Sequence, residues 1–353
     1  MNENIIEMYA ADNLPFISGV HQWGIDVIRI IQGIENPTLT ALVKFITALG
    51  TEALYFPLIL LIFWWIDEKQ GLRFGVIVIV SAWINSVLKD IFKQPRPYNL
   101  DPSIGMASES SYGIPSGHAQ NSASFWIPMA AWLSGIWTKK RRLIWIGVIV
   151  FLLLMGFTRL YLGVHFPTDL FAGWLISGVI LALWFIPGPR LEKRLASSGL
   201  RFQSIFAALI ALVMSSLYPA DRMLAAVFLG FCLGYILMKK HFPFSARGEI
   251  KGKKPGVVKM VFRCITGFLG VVIIYAGLKL LFPGEGSLFD SIPLWGHASP
   301  FYEIGRFIRY GLIGFWVAAG APWVFLKMRL AAPSSENVTT NVNEKAGGGN
   351  KSP

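Results

Sequence analysis

The chain has 353 residues, of which 54% are hydrophobic and only 15% charged, with 13 Trp and 26 Phe. Soluble domains carry about 25% charged residues, so the polar groups are too few to cover a soluble surface and the composition is that of a membrane protein. The formal charge of +12 lies largely in short loops between apolar runs, where it sets topology; with no soluble basic module present, a nucleic-acid partner is excluded.

The first residues, MNENIIEMYAADNLP, have no basic region and no long apolar core, so they do not read as a cleavable leader. Residues 17–34 mix apolar and polar positions with helical period, which predicts a helix lying in the membrane interface, with His21 as an interfacial residue. Residues 1–38 form this N-terminal segment.

A spanning helix needs about 20 mostly apolar residues. Nine candidates centre on 48–66, 72–92, 117–137, 142–162, 167–187, 202–219, 222–239, 258–282 and 304–326. The expected fold is therefore all-α, a polytopic membrane helix bundle of about nine transmembrane helices. Residues 39–199 would hold five of them and 200–330 the other four. The tail 331–353 is polar, rich in Gly, Ser and Asn, and reads as disordered. Cys232 and Cys264 sit inside apolar runs and show neither zinc spacing nor a disulfide framework.

Basic residues resist translocation. Lys139, Lys140, Arg141 and Arg142 follow the third helix, Arg190, Lys193, Arg194 and Arg201 the fifth, and Lys239, Lys240 and Arg247 the seventh. With nine helices these loops share one side, the cytoplasmic one. The loop with Glu285 and Asp290 falls outside, the N-terminus is outside and the C-terminus inside. Lys279, Arg222, Arg306 and Arg309 run mildly against this pattern.

Three segments place ionisable groups at helix ends, where they are costly in a membrane and usually serve a purpose. The first is KDIFKQPRP at 89–97. Lys89 and Arg96 are two helical turns apart and can face one side while the helix lasts. Lysine offers a point charge and arginine a planar fork matched to phosphate oxygens; taken alone, both could simply snorkel, as Lys93 is expected to do. The second is PSGH at 115–118. Ser116 is a natural N-cap, Gly117 lets backbone approach a ligand, and the helix N-terminus suits an anion. His118 could donate a proton there. The third is TRLYLGVHFPTD at 158–169. Pro167 marks the first turn of a helix, so His165 stands at its entrance with Asp169 four residues on, a carboxylate placed to orient an imidazole. Arg159 adds another cation. No metal-ligand cluster is present, so the cations would have to stabilise charge by themselves. His241 and His297 are isolated loop histidines with no expected role.

Taken together the three segments resemble the type 2 phosphatidic acid phosphatase superfamily, whose pattern is Lys-x6-Arg-Pro, Pro-Ser-Gly-His and Ser-Arg-x5-His-x3-Asp. The order and every charged position match over roughly residues 39–187; Thr158 replaces the usual serine and keeps a hydroxyl. The resemblance implies that His165 attacks phosphorus to form a phosphohistidine and that Asp169 orients it. It implies that His118 protonates the leaving oxygen and then activates water. Lys89, Arg96, Arg159, Ser116 and the Gly117 N–H would bind the phosphate oxygens, with no metal or organic cofactor. The implied partners are a lipid phosphomonoester or diphosphate and membrane lipids. The plan of about nine helices with the N-terminus outside is similar to the glucose-6-phosphatase branch, and extra C-terminal helices also occur in the sphingosine-phosphate phosphatases. Asp169 fits the lipid phosphatases better. The last four helices read as scaffold, lipid-binding wall or dimer surface, which leaves a homo-oligomer open. Arg306 and Arg309 are placed at the outer mouth, where a headgroup could meet them.

Other readings share some of these features. A phosphotransferase would carry the same motifs, and a soluble sugar phosphate could be the substrate. A transporter would need a polar path across the membrane, for which only Ser81 and Asn85 speak. The superfamily's vanadate haloperoxidases are soluble, which the apolar helices oppose. The compact chain favours a bacterial inner membrane, with the active site on the periplasmic face.

Overall fold

The computed structural model describes residues 15–248, 255–282 and 301–333. His297, the loop with Glu285 and Asp290, and residues 334–353 of the polar tail lie outside them. The described chain is almost entirely helical: α1 Pro15–Gln32, α2 Pro37–Ala48, α3 Glu52–Leu61, α4 Glu68–Phe92, α5 Pro97–Leu100, α6 Gly117–Ile136, α7 Arg141–Tyr161, α8 Pro167–Phe185, α9 Gly188–Ser197, α10 Leu200–Leu217, α11 Met223–His241, α12 Val257–Leu281, α13 Tyr302–Phe315 and α14 Ala321–Lys327. Two π-helical turns, Ile62–Ile66 and Trp316–Gly320, extend α3 and α13. Two-residue strands, Phe244–Ser245 and Ala332–Pro333, pair antiparallel.

Among the described residues, seven helices are long and apolar enough to cross a membrane, or eight if α2 and α3 form one broken span. The expected nine is not reached. The helix that falls short is α6, in apolar composition and not in length. It occupies the expected 117–137, but its inward face is polar: Gln120, Asn121, Ser122 and Ser124 are all buried. The first expected span, 48–66, covers only α3 and its π turn, Glu52–Ile66; it passes as a span only together with α2, Pro37–Ala48, from which it is bent by 46° across Leu49, Gly50 and Thr51. The expected loop after the fifth span contains a ten-residue helix, α9, which starts at Gly188-Pro189 and carries Arg190, Lys193 and Arg194.

The chain divides into two compact units, 1–57 with 77–192, and 58–76 with 193–353. In the first unit α6 packs against α7 and α8, and α2 and α1 lie against α7. Its outer faces are apolar, as Leu175, Val179 and Leu183 on α8 are exposed at helical spacing. Its interior is polar. Tyr55 Oη lies 2.6 Å from Ser122 Oγ, Ser81 Oγ donates to Asn121 Oδ1 at 2.8 Å, and Ser124 Oγ meets Ser177 Oγ at 3.0 Å. In a membrane an unpaired polar group costs several kcal/mol, so these partners lock α3, α4, α6 and α8 in register. Asn85 extends the chain of bonds to the site: its Nδ2 donates to Gln120 Oε1 at 3.0 Å and to Pro115 O at 3.2 Å. Ser81 and Asn85 therefore brace a loop and do not mark a path across the bilayer.

In the second unit α11 packs against α13, with α10 and α12 beside them. Arg263 is fully buried and, among the described residues, donates to the backbone carbonyls of Leu330, Trp64 and Ala246 at 2.8–3.1 Å. It ties the first π turn, through Trp64, to the chain at Ala246 and Leu330. Arg306 is held by Asp221 at 3.1 Å and Glu303 at 3.4 Å, and Arg309 lies over Tyr275 and Tyr310. His241 is the exposed last residue of α11 rather than a loop residue.

Candidate active site

All eight residues singled out for chemistry lie in the first unit, at one end of it. Helices α4 and α7 end there, and α6 and α8 begin there. The basic turn Lys139–Arg142 joins the opposite ends of α6 and α7.

The third motif builds its geometry from a helix cap. Gly163 has φ +66° and turns the chain out of α7; a Cβ there would collide with the Ile104 carbonyl. The chain then enters α8 at Pro167, whose missing N–H costs nothing at a first helical position. Asp169 caps this helix by accepting from Phe166 N at 3.0 Å. The same oxygen, Oδ2, accepts from His165 Nδ1 at 3.1 Å. One carboxylate thus closes a helix end and fixes an imidazole. Because Oδ2 is an acceptor, the ring proton sits on Nδ1 and the lone pair on Nε2.

His165 is fully buried. Burial first, then the charges of Arg96, Arg159, Lys89 and His118, hold it well below the 6.5 of a free imidazole. At neutral pH its Nε2 is unprotonated, as a nucleophile must be. Protons bind it less in the folded than in the unfolded chain, so its contribution to stability is present above about pH 6.5 and is lost as pH falls below that value.

The first motif does not place both cations on one helix. Helix α4 ends at Phe92, and Lys93, at φ +49°, turns the chain toward Arg96, whose backbone is extended. This turn carries Arg96 back into the bundle, where it is 1% exposed. Its Nη1 lies 3.1 Å from His165 Nε2 and 2.9 Å from Val164 O. Ser111 joins the two cations, accepting from Lys89 Nζ at 2.9 Å and from Arg96 Nη2 at 3.0 Å. Lys93 itself is exposed.

In the second motif Ser116 caps α6, with a long 3.5 Å contact from Ala119 N. Its own N–H donates to Asp169 O at 3.0 Å, which ties the loop to α8. Gly173 on α8 makes this approach feasible, since a Cβ there would come within 2.7 Å of Ser116 O. A ring N–H of His118 donates to the Thr47 carbonyl. Thr47 Oγ1 also accepts from Arg159 Nη1 at 2.8 Å.

Four contributors went unseen in the sequence. Gln94 is buried and donates to Asp169 Oδ1 at 3.0 Å, so every oxygen of that carboxylate is occupied; it hides among the variable positions of the first motif. Thr47 sits in a helix with no motif. Glu109 and Ser111 lie in the loop before PSGH, where an acid beside a cationic site was the available signal. Glu109 bridges Arg96, at 2.7 Å, and Arg159. His21 is buried rather than interfacial, stacked 4.7 Å from Phe166 beside the site.

Among the described residues, no group of three or more His, Cys, Asp or Glu could hold a metal ion. The arrangement is one of preorganised donors around an unprotonated ring nitrogen that accepts from Arg96 Nη1, at one end of a membrane helix bundle. Such a site can hold an oxyanion in line with a nucleophile.

Residues 70–192 match the family model described as the PAP2 superfamily. Residues 222–333 match a second model, the PAP2 superfamily phosphatase transmembrane extension. Phosphatidylglycerophosphatase B of Bacillus subtilis is 31% identical over 160 residues, 43% of this chain and 75% of that protein. Undecaprenyl-diphosphatase of Sulfolobus acidocaldarius is 28% identical over 166 residues, 45% of this chain and 75% of that protein. The crystal structure of the transmembrane PAP2-type phosphatidylglycerolphosphate phosphatase from Bacillus subtilis aligns with TM-score 0.42 and 28% identity, over 47% of this chain and 84% of that one. The chain belongs to the PAP2 superfamily.

Proposed function

We propose that the protein is a membrane phosphatase that hydrolyses a lipid phosphomonoester or diphosphate through a phosphohistidine. The observation that carries this reading is the buried His165–Asp169 pair, with Nε2 directed at the Arg96 guanidinium. In the first step Nε2 attacks phosphorus, the P–O bond to the lipid breaks, and His118, entering the step as imidazolium, gives the proton on its nitrogen not bonded to Thr47 to the leaving oxygen. In the second step His118 takes a proton from water, the water oxygen attacks phosphorus, and the P–N bond breaks to release phosphate. Lys89, Arg96, Arg159, the Ser116 hydroxyl and the Gly117 N–H hold the equatorial oxygens, where charge accumulates. The chain's own cations supply all the charge stabilisation, and no metal takes part.

The named substrates of the relatives, phosphatidylglycerol phosphate and undecaprenyl diphosphate, are the first candidates. Both keep their tails in lipid, which suits a site at the end of a membrane bundle. The positive-inside rule puts the Lys139–Arg142 turn in the cytoplasm and the site on the opposite, periplasmic face of a bacterial inner membrane. Helix α1, with Gln22, Asp26 and Arg29 along its polar side, would then lie in the outer interface.

Purified protein in detergent with excess EDTA is expected to release phosphate from both of these lipids and from phosphatidic acid in preference to glucose 6-phosphate. Complete loss of activity with EDTA would overturn the metal-free account. Selective hydrolysis of glucose 6-phosphate would make a soluble sugar phosphate the substrate.

A further inference from the structure

The two arginines expected to hold phosphate are already holding an anion. Arginine has five N–H donors, and each one on Arg96 has a protein acceptor: Nε donates to Ser111 O at 2.7 Å, Nη1 to Val164 O and His165 Nε2, and Nη2 to Ser111 Oγ, Tyr112 O and Glu109 Oε2. The other Glu109 oxygen, Oε1, takes the Nη2 donor of Arg159. One carboxylate therefore spans both guanidiniums with its two oxygens, as two oxygens of a phosphate would. Arg159 Nε is buried without a partner among the described residues, so the cradle keeps a donor that the carboxylate does not fill.

Glu109 is not there by a chance swing of a surface side chain. It belongs to a strap anchored at both ends, by Met106 N to Leu162 O at 3.1 Å and by Gly113 N to Gln94 O at 2.8 Å. Midway, the Tyr98 hydroxyl donates to Glu109 O at 2.9 Å and accepts from Glu109 N at 3.1 Å. Tyr98 follows the Arg96-Pro97 pair directly, so the segment that supplies the arginine also pins the carboxylate against it. The Glu109 side chain is 26% exposed, whereas those of its two partners are 1% and 3% exposed. It can leave toward solvent while the arginines stay.

We infer that Glu109 is an internal placeholder for the substrate phosphate, a residue that sets phosphate affinity by competing for Arg96 and Arg159 and that moves aside when substrate binds and returns when phosphate leaves. The inference rests on the phosphate-binding role proposed for those arginines. Between turnovers the carboxylate neutralises two cations in a low-dielectric site, where unpaired charge is costly. During turnover it weakens the hold on product. A seat filled by Glu109 nine-tenths of the time binds an external anion about tenfold less tightly than an open one.

The test is calorimetric titration of the full-length protein in detergent with tungstate, a dianion of phosphate shape, for the wild type, Glu109→Gln and Tyr98→Phe. Glu109→Gln is expected to bind tungstate about tenfold tighter than the wild type. Removing a negative charge would tighten binding somewhat in any case. Tyr98→Phe keeps the charge and removes only the pin, so it should also tighten binding, by about threefold. Wild-type binding with no gain in Tyr98→Phe overturns the placeholder, whatever Glu109→Gln does, and Tyr98→Phe alone decides if the other variant fails to fold. Weaker binding in both variants would mean that Glu109 aligns the arginines for phosphate. Absence of tungstate binding in the wild type and both variants would remove the phosphate seat itself, and the inference with it.

Discussion

Asp169→Asn is expected to lower kcat by about 10^3- to 10^4-fold in a protein that still folds. The size of the effect follows from a tautomer. Asp169 Oδ2 accepts both from Phe166 N and from His165 Nδ1, and Oδ1 accepts from Gln94 Nε2. An asparagine has one acceptor and one donor group in the same space. If its oxygen keeps the helix cap, its amide faces Gln94, donor against donor. If it flips to suit Gln94, its N–H₂ faces His165 Nδ1, the ring proton moves to Nε2, and the attacking lone pair is lost. The second outcome destroys the alignment outright and the first removes the negative charge that supports the imidazolium formed on attack, while α8 retains Pro167 and its buried face. Phosphate release and a detergent melting curve check the two halves of the expectation. Activity within about tenfold of wild type would show that the carboxylate does not set the state of His165.

Arg96→Lys is the second large effect, expected to lower kcat/KM by about 10^3-fold and stability by about 3 kcal/mol. The substitution keeps a charge and loses a fork. Val164 O, Tyr112 O and Ser111 O all accept from the guanidinium at 2.7–3.0 Å, and three ammonium hydrogens on a flexible stem cannot reach acceptors spread around a plane. The loops before α6 and α8 are both held by those bonds, so the damage is to the placement of His165 as well as to phosphate binding. Arg159→Lys should be milder in stability, because Arg159 has two acceptors, Thr47 and Glu109. The same kinetic and melting measurements distinguish the two variants.

Much of this site was legible in the sequence because its chemistry is local. The His165–Asp169 contact is a four-residue spacing across a helix start that Pro167 announces, and Ser116 stands where a cap must stand. The membrane class was equally plain, since a composition this poor in charge leaves no other solvent for the outer faces. What was not legible depends on the turn of a chain or on a distant partner. Nothing in Lys89-x6-Arg96 discloses that Lys93 adopts a left-handed conformation and swings Arg96 back. Nothing near Thr47 discloses that its carbonyl meets His118, 71 residues on in the chain. Helix α6 is visible in the sequence as 117–137, but its role as the polar centre of the unit is not: it is less apolar than the other long helices because Gln120, Asn121, Ser122 and Ser124 face protein partners on α3, α4 and α8. His21 was read from its amphipathic helix, whereas its burial comes from a stack on Phe166, a contact that only tertiary packing creates.

The central claim is that His165 carries the phosphoryl group. It is tested most directly by quenching turnover of phosphatidylglycerol phosphate, labelled in its terminal phosphate, into alkaline denaturant and mapping the label on the protein. The expected result is label on the peptide that contains His165, stable to base, released by acid, and absent from the His165→Ala variant, which should also be inactive. Label on a different residue, or full activity in His165→Ala, would contradict the mechanism.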